Sequence, residues 1–217
     1  MTDFATRRRM MVDTQVRPSD VTEFPIIDAM LSVPREAFVP GDKVEAAYVS
    51  EDVDLGDGRV LLDPRVFAKM LDALNLTNQD LVLDLGAGLG YSSAVIAMIA
   101  EAVVAVEDDE TRATEAQALL SEHHADNVIL HAGALTDGAA GHGPYDAIII
   151  EGGVEEIPTA VTDQLKDGGR IAAIFMDGAL GTVKVGHKLD GTINWRFAFN
   201  GTAPVLDGFK KAAEFAL

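Results

Sequence analysis

Residues 81–97 read Leu-Val-Leu-Asp-Leu-Gly-Ala-Gly-Leu-Gly-Tyr-Ser-Ser-Ala-Val-Ile-Ala, and no other stretch constrains the fold as tightly. An apolar strand pattern carries Asp84 near its end, glycines follow at 86, 88 and 90, and a helical pattern begins at Tyr91. Glycine at these positions permits positive φ in a sharp turn and removes the Cβ atoms that would hold a ligand off the backbone. The helix behind the turn directs free N–H groups and its positive dipole end back at that ligand. A nucleotide-like molecule lying against Gly86, Ala87, Gly88 and Gly90 is the expectation. Packing alone is the competing explanation of such a turn.

Spacing selects the ligand. A dinucleotide fingerprint, G-x-G-x-x-G, requires glycine at position 91, where Tyr91 stands. Asp84 would repel a pyrophosphate and attract a cation. S-adenosylmethionine carries both a sulfonium and an ammonium, so the acidic strand end favours it over a nicotinamide dinucleotide. A second apolar run ends at Glu107, 23 residues after Asp84, where a carboxylate can accept both ribose hydroxyls. Tyr91, at the helix start, is expected to cover the cofactor, with simple packing as the alternative.

Charge narrows the partners. With 17 basic against 35 acidic residues the formal net charge is −18, a field that repels nucleic acid and anionic membrane surfaces. The basic cluster Arg7-Arg8-Arg9 is too short to reverse this and is read as a solvated helix face. There is no cysteine, hence no disulfide or thiolate metal site. The five histidines lack the paired spacing of a zinc helix, so no metal is expected. No apolar run is long enough to span a bilayer and the start lacks a signal core, which predicts a cytoplasmic protein.

The rest of the chain organises around the glycine turn. Helices are expected over 2–17 and 21–31, loops and hairpins over 39–62, and a helix from Pro64 to Leu74 with proline in its favoured first turn. Strands over 81–85, 103–107, 127–131, 145–150 and 169–175 alternate with helices over 91–100, 110–123 and 157–165. Continuous apolar strands such as Ala147-Ile148-Ile149-Ile150 belong in a parallel sheet covered on both faces. The fold class is therefore α/β, a doubly wound, mostly parallel sheet with helices on both faces. Runs at 182–187 and 193–199, joined through Asp190-Gly191, predict an antiparallel C-terminal edge. A last helix is expected over 206–215. One domain over 1–217 accommodates all this, with an N-terminal helical and substrate-loop extension (1–76) and a cofactor-binding core (77–217).

Several blocks resemble one family. Residues 27–40 (Ile-Asp-Ala-Met-Leu-Ser-Val-Pro-Arg-Glu-Ala-Phe-Val-Pro), Ala47-Tyr48, 58–70, 82–97, 127–133, 144–150 and 164–170 together are similar to the protein-L-isoaspartate O-methyltransferases, class I S-adenosylmethionine-dependent enzymes. The resemblance implies a Rossmann-like fold and methyl transfer to a carboxylate of a damaged protein or peptide, in protein repair. It adds Gly133 and Ala134 to the cofactor contacts and Val60, Leu61 and Leu62 to the substrate loop. Glu151 is a substrate candidate from its place at a strand end, where ligands sit in open α/β sheets, with capping of the next helix as the alternative. Two positions depart from the family pattern. Its Thr-Ile-Ser is replaced by Val60-Leu61-Leu62, and its adenine-reading aspartate by Ala134. The last 40 residues also differ.

No catalytic residue is singled out, because an ionised carboxylate needs no general base. The lost hydroxyls would each have given a charged hydrogen bond worth about 1.5–3 kcal/mol, roughly one to two decades in rate. Weak isoaspartyl turnover is expected unless another group compensates, with cofactor binding retained. The alternatives are a methyltransferase of this lineage with another acceptor, such as a small-molecule carboxylate, or a cofactor-binding protein without turnover.

Overall fold

The computed structural model describes residues 3–211. The N-terminal part holds α1 (Phe4–Met11), α2 (Phe24–Ser32), the hairpin β1 (Val53–Gly56) and β2 (Arg59–Leu61), and α3 (Pro64–Leu74). Then come β3 (Leu81–Leu85), α4 (Tyr91–Ala97), β4 (Ala102–Glu107), α5 (Glu110–Glu122) and β5 (Val128–Ala132). The remainder is β6 (Tyr145–Val154), α6 (Thr159–Thr162), β7 (Leu165–Asp177), β8 (Leu180–Leu189) and β9 (Thr192–Asn200).

Seven strands form one sheet in the order β5-β4-β3-β6-β7-β8-β9, parallel up to β7 and antiparallel beyond it. The chain runs outward from β3 to β5 and then returns to place β6 on the other side of β3, so the sheet order reverses between β3 and β6. Side chains alternate between faces. Val82, Val103, Ala105, Ala147 and Ile149 pack with the N-terminal helices and α4. Leu83, Leu85, Val104, Val106, Ile148 and Ile150 pack with Val161, Leu206 and Phe209. Among the described residues, α6 is the only α-helix with a side chain in that second cluster, beside the 3-10 turn at Leu135–Asp137.

Local sequence explains α3, the helix that directly follows the substrate loop at 60–62 (the lid). Asp63 caps α3, its carboxylate accepting from the N–H groups of Arg65 (2.7 Å) and Val66 (3.1 Å), with Pro64 in the first turn. Arg35 is fully buried between the N-terminal layer and the glycine turn. Its guanidinium donates to the carbonyls of Ala47 (2.7 Å) and Leu62 (2.6 Å) and lies 4.9 Å from the Tyr91 ring centre.

Several expectations need correction. The helix expected over 2–17 is α-helical over Phe4–Met11, and its remainder is a π-helical segment at Val12–Val16 that runs into a 3-10 turn at Arg17–Ser19. The helix expected over 157–165 is only four residues long, because β7 begins at Leu165. The helix at 91 stops at Ala97. Residues 206–211 carry no helix, Val205 bridges to Gly153, and 212–215 lie outside the described residues. Arg8 is not solvated. It pairs with Glu36 (3.1 Å) and donates to Tyr48 (3.0 Å), docking α1 onto the following layer. No helix among the described residues is long and apolar enough to cross a membrane.

Candidate cofactor site

In an open α/β sheet a ligand sits outside the carboxyl ends of the strands where their order reverses. Three carboxylates gather there: Asp84 in β3, Glu107 closing β4 and Glu151 in β6. Glu151 follows Ile150, the β6 partner of Leu85, so it stands beside the start of the glycine bend. All three are buried. The bend is left-handed at Gly86 (φ 83°), Gly88 (φ 59°) and Gly90 (φ 96°), which is why those positions tolerate little but glycine. Its amides at Gly86 and Ala87 donate to the Val106 carbonyl, at 3.0 and 3.2 Å, tying the bend to β4.

Glu107 is the most heavily bonded of the three. Its Oε1 accepts from Arg112 (2.8 Å) and Arg59 (3.2 Å), and its Oε2 from Arg59 (3.1 Å) and the Gly88 N–H (2.9 Å). The expectation of a carboxylate free for ribose hydroxyls thus needs amending: as folded, two arginines share it. Hairpin side chains also cover the bend. A Cβ added at Gly86 would lie 2.8 Å from Arg59 Nη2, and one at Gly88 2.8 Å from Leu55 Cδ1.

Asp84 and Glu151 keep unused valence. Asp84 Oδ2 accepts from Ser92 (2.7 Å) and Ser93 (2.5 Å) on α4, while its Oδ1 has no partner. Glu151 Oε1 also lacks one. Burial pushes the Asp84 carboxyl up to about 6, against the lowering effect of the two serine hydroxyls. Burial, and then the neighbouring Asp84 charge, push Glu151 up as well. Between its ordinary value of 3.8 and about 6 the folded state keeps a proton on Asp84 that the unfolded chain has released. Its contribution to stability is therefore complete below about pH 4 and lost as pH rises through 6. Asp84→Asn should flatten this fall, so its urea midpoint should change less from pH 4 to 7 than the wild type's. Parallel pH profiles would contradict the assignment.

The other expected site residues are not all brought together. Gly133 and Ala134 follow β5, and with Asp108, Leu135 and Gly208 they border a cavity of about 340 Å³ beside the Glu107 end of β4. Tyr91 does not lie on the bend as a cover. It is buried against Phe38 and Phe67, at ring separations of 6.0 and 5.9 Å. In the substrate loop, Leu61 and Leu62 are core residues and Val60 is half-buried. Arg59 and Arg112 were not among the expected site residues. A carboxylate that stays charged when buried needs compensating partners, and Arg112, five positions after Glu107 on the first turn of α5, is a local candidate for that role. Arg59 lies 48 residues away, and only the topology brings it in.

The residues fit a cationic nucleoside in type. A cradle without Cβ atoms, a carboxylate at the adjacent strand end and two buried carboxyl oxygens without partners suit a ribose diol and an ammonium or sulfonium. No group of three or more His, Asp or Glu side chains among the described residues is arranged to hold a metal ion. A groove of about 640 Å³ runs beside the lid, lined by Asp52, Asp63, Arg65, Thr182, Asn200 and Thr202.

Comparison with known proteins gives the lineage. The family model described as protein-L-isoaspartate(D-aspartate) O-methyltransferase matches residues 7–193. A protein-L-isoaspartate O-methyltransferase of Roseiflexus castenholzii is 36% identical over 169 residues, 78% of this chain and 77% of that protein. One from Pelotomaculum thermopropionicum is 34% identical over 191 residues, 88% of this chain and 83% of its own. A solved protein-L-isoaspartate O-methyltransferase superposes with a TM-score of 0.83 at 23% identity, covering 93% of this chain and 66% of that one. A Plasmodium falciparum protein described by the same activity, in complex with S-adenosyl-L-homocysteine, gives 0.79 at 17% identity, covering 95% and 99%. These two likenesses agree in overall fold with the structure described here. The chain belongs to the protein-L-isoaspartate(D-aspartate) O-methyltransferase family.

Proposed function

We propose that this chain is an S-adenosylmethionine-dependent O-methyltransferase acting in the cytoplasm on isoaspartyl carboxylates of damaged proteins or peptides. The observation that carries the reading is the meeting of the glycine bend with Asp84, Glu107 and Glu151 at the point where the sheet order reverses. Membership of the family supplies the reaction class.

The bound cofactor would supply an electrophilic methyl group on a cationic sulfur, and the acceptor carboxylate, ionised at pH 7, needs no general base from this chain. This chain's part is placement. Gly86, Ala87, Gly88 and Gly90 let the nucleoside lie on the backbone, Glu107 accepts from its ribose, and Gly133 with Ala134 borders its base. Asp84 and Glu151 offer their unpartnered oxygens to positive charge. Half-buried Val60 is the apolar side chain of the substrate loop offered to the acceptor, with Leu61 and Leu62 packed in the core behind it. Such orientation supplies several kcal/mol of the barrier reduction.

The test uses methyl-labelled S-adenosylmethionine, an isoaspartyl peptide and its ordinary aspartyl isomer. Base-labile label is expected in the isoaspartyl peptide alone, and slowly, since the loop offers no hydroxyl to orient the carboxylate. Incorporation no faster than without enzyme would overturn the proposal.

A further inference from the structure

Glu107 can serve a ribose only if Arg59 leaves it. Both Arg59 Nη atoms are on this carboxylate, at 3.2 and 3.1 Å, and the pair is buried. The same guanidinium lies over Gly86, and Leu55 of the same hairpin lies over Gly88. One small element therefore covers both the acceptor for the ribose and the backbone against which the nucleoside would lie. The cavity beside Gly133 and Ala134 is not covered in this way.

The surroundings make the contact exchangeable. When Arg59 departs, Glu107 keeps Arg112 at 2.8 Å and the Gly88 N–H at 2.9 Å, so its charge does not become an uncompensated one. Arg59 in turn already touches Asp108 at 2.9 Å, and Asp108 is 38% exposed, which gives the guanidinium a partner on the solvent side of the site. Breaking a buried ion pair is costly chiefly when one charge is left alone. Here neither is.

We infer that Arg59 is a latch: the β1–β2 hairpin holds the nucleoside site shut through the Arg59–Glu107 pair, and the cofactor binds by exchanging ribose hydroxyls for that guanidinium. The inference rests on the proposed placement of the nucleoside at Glu107. A binding-competent state that is populated only in part lowers the apparent affinity by that fraction. Removing the latch therefore raises affinity, the opposite of what loss of an ordinary contact residue does.

Calorimetric titration with S-adenosyl-L-homocysteine tests this on wild type, Arg59→Gln and Gly88→Val. Arg59→Gln should bind about tenfold more tightly than wild type, as expected if roughly one molecule in ten is open. Equal or weaker binding by folded Arg59→Gln, with wild-type binding abolished in Gly88→Val, would overturn the latch and leave the site in place. Affinity unchanged in Gly88→Val, or no binding by wild type or Arg59→Gln, would overturn the site and the latch with it. Should Arg59→Gln fail to fold, hydrogen exchange on the wild type decides. The ligand should speed exchange of the hairpin amides at 53–61, and their protection would overturn the latch.

Discussion

Glu107→Ala is expected to lower the unfolding free energy by about 3–5 kcal/mol, the range for removing one partner of a buried charge cluster. The carboxylate is fully buried and is the shared acceptor of Arg59 and Arg112. Without it Arg59 retains Asp108, and Arg112 retains only Asp57, an exposed residue at 3.4 Å. Exposed pairs of that kind contribute little. The Gly88 N–H also loses its acceptor. Urea unfolding at pH 7 reads this as a lowered midpoint with an unchanged slope. A loss below about 1 kcal/mol would mean that the two arginines find water or other acceptors without cost.

Arg35→Ala is expected to cost a similar amount, about 3–5 kcal/mol, by a different route. The alanine leaves a cavity where the largest of the fully buried side chains stood. It also strands the carbonyls of Ala47 and Leu62, which the guanidinium binds at 2.7 and 2.6 Å. Burial pulls the Arg35 guanidinium below its ordinary value, so the charge itself is not what stabilises this region. Arg35→Met should therefore recover the part of the loss due to packing while leaving that due to the carbonyls. Thermal and urea unfolding of both variants check this. An Arg35→Met variant no better than Arg35→Ala would assign the whole effect to the carbonyls.

Much of the core was legible because its pattern had few alternatives. Continuous apolar runs such as 147–150 can only be buried on both faces, and each entered the parallel part of the sheet. Pro64 marked a helix start, and the structure adds Asp63 as its cap. Asp190-Gly191 marked the tight turn between β8 and β9, where both residues take positive φ. Legibility ended where distant contacts outweighed local preference. A helical pattern over 157–165 kept only Thr159–Thr162, and its last residue, Leu165, opens β7 by pairing with Tyr145 of β6. The triple arginine reads locally as a solvated face, yet Glu36 and Tyr48 draw Arg8 inward from 28 and 40 residues away. In the site, the glycines and strand-end carboxylates were visible because backbone freedom and charge type are written residue by residue. The cations that neutralise Glu107 were not, since Arg59 reaches it through a hairpin fold that no local pattern specifies.

The most direct measurement is a crystal structure of the protein with S-adenosyl-L-homocysteine. The account predicts ribose hydroxyls on Glu107, the base beside Gly133 and Ala134, the nucleoside against Gly86–Gly90, and Arg59 moved to Asp108. A nucleoside bound elsewhere, with Arg59 and Leu55 still lying on that bend, would contradict it.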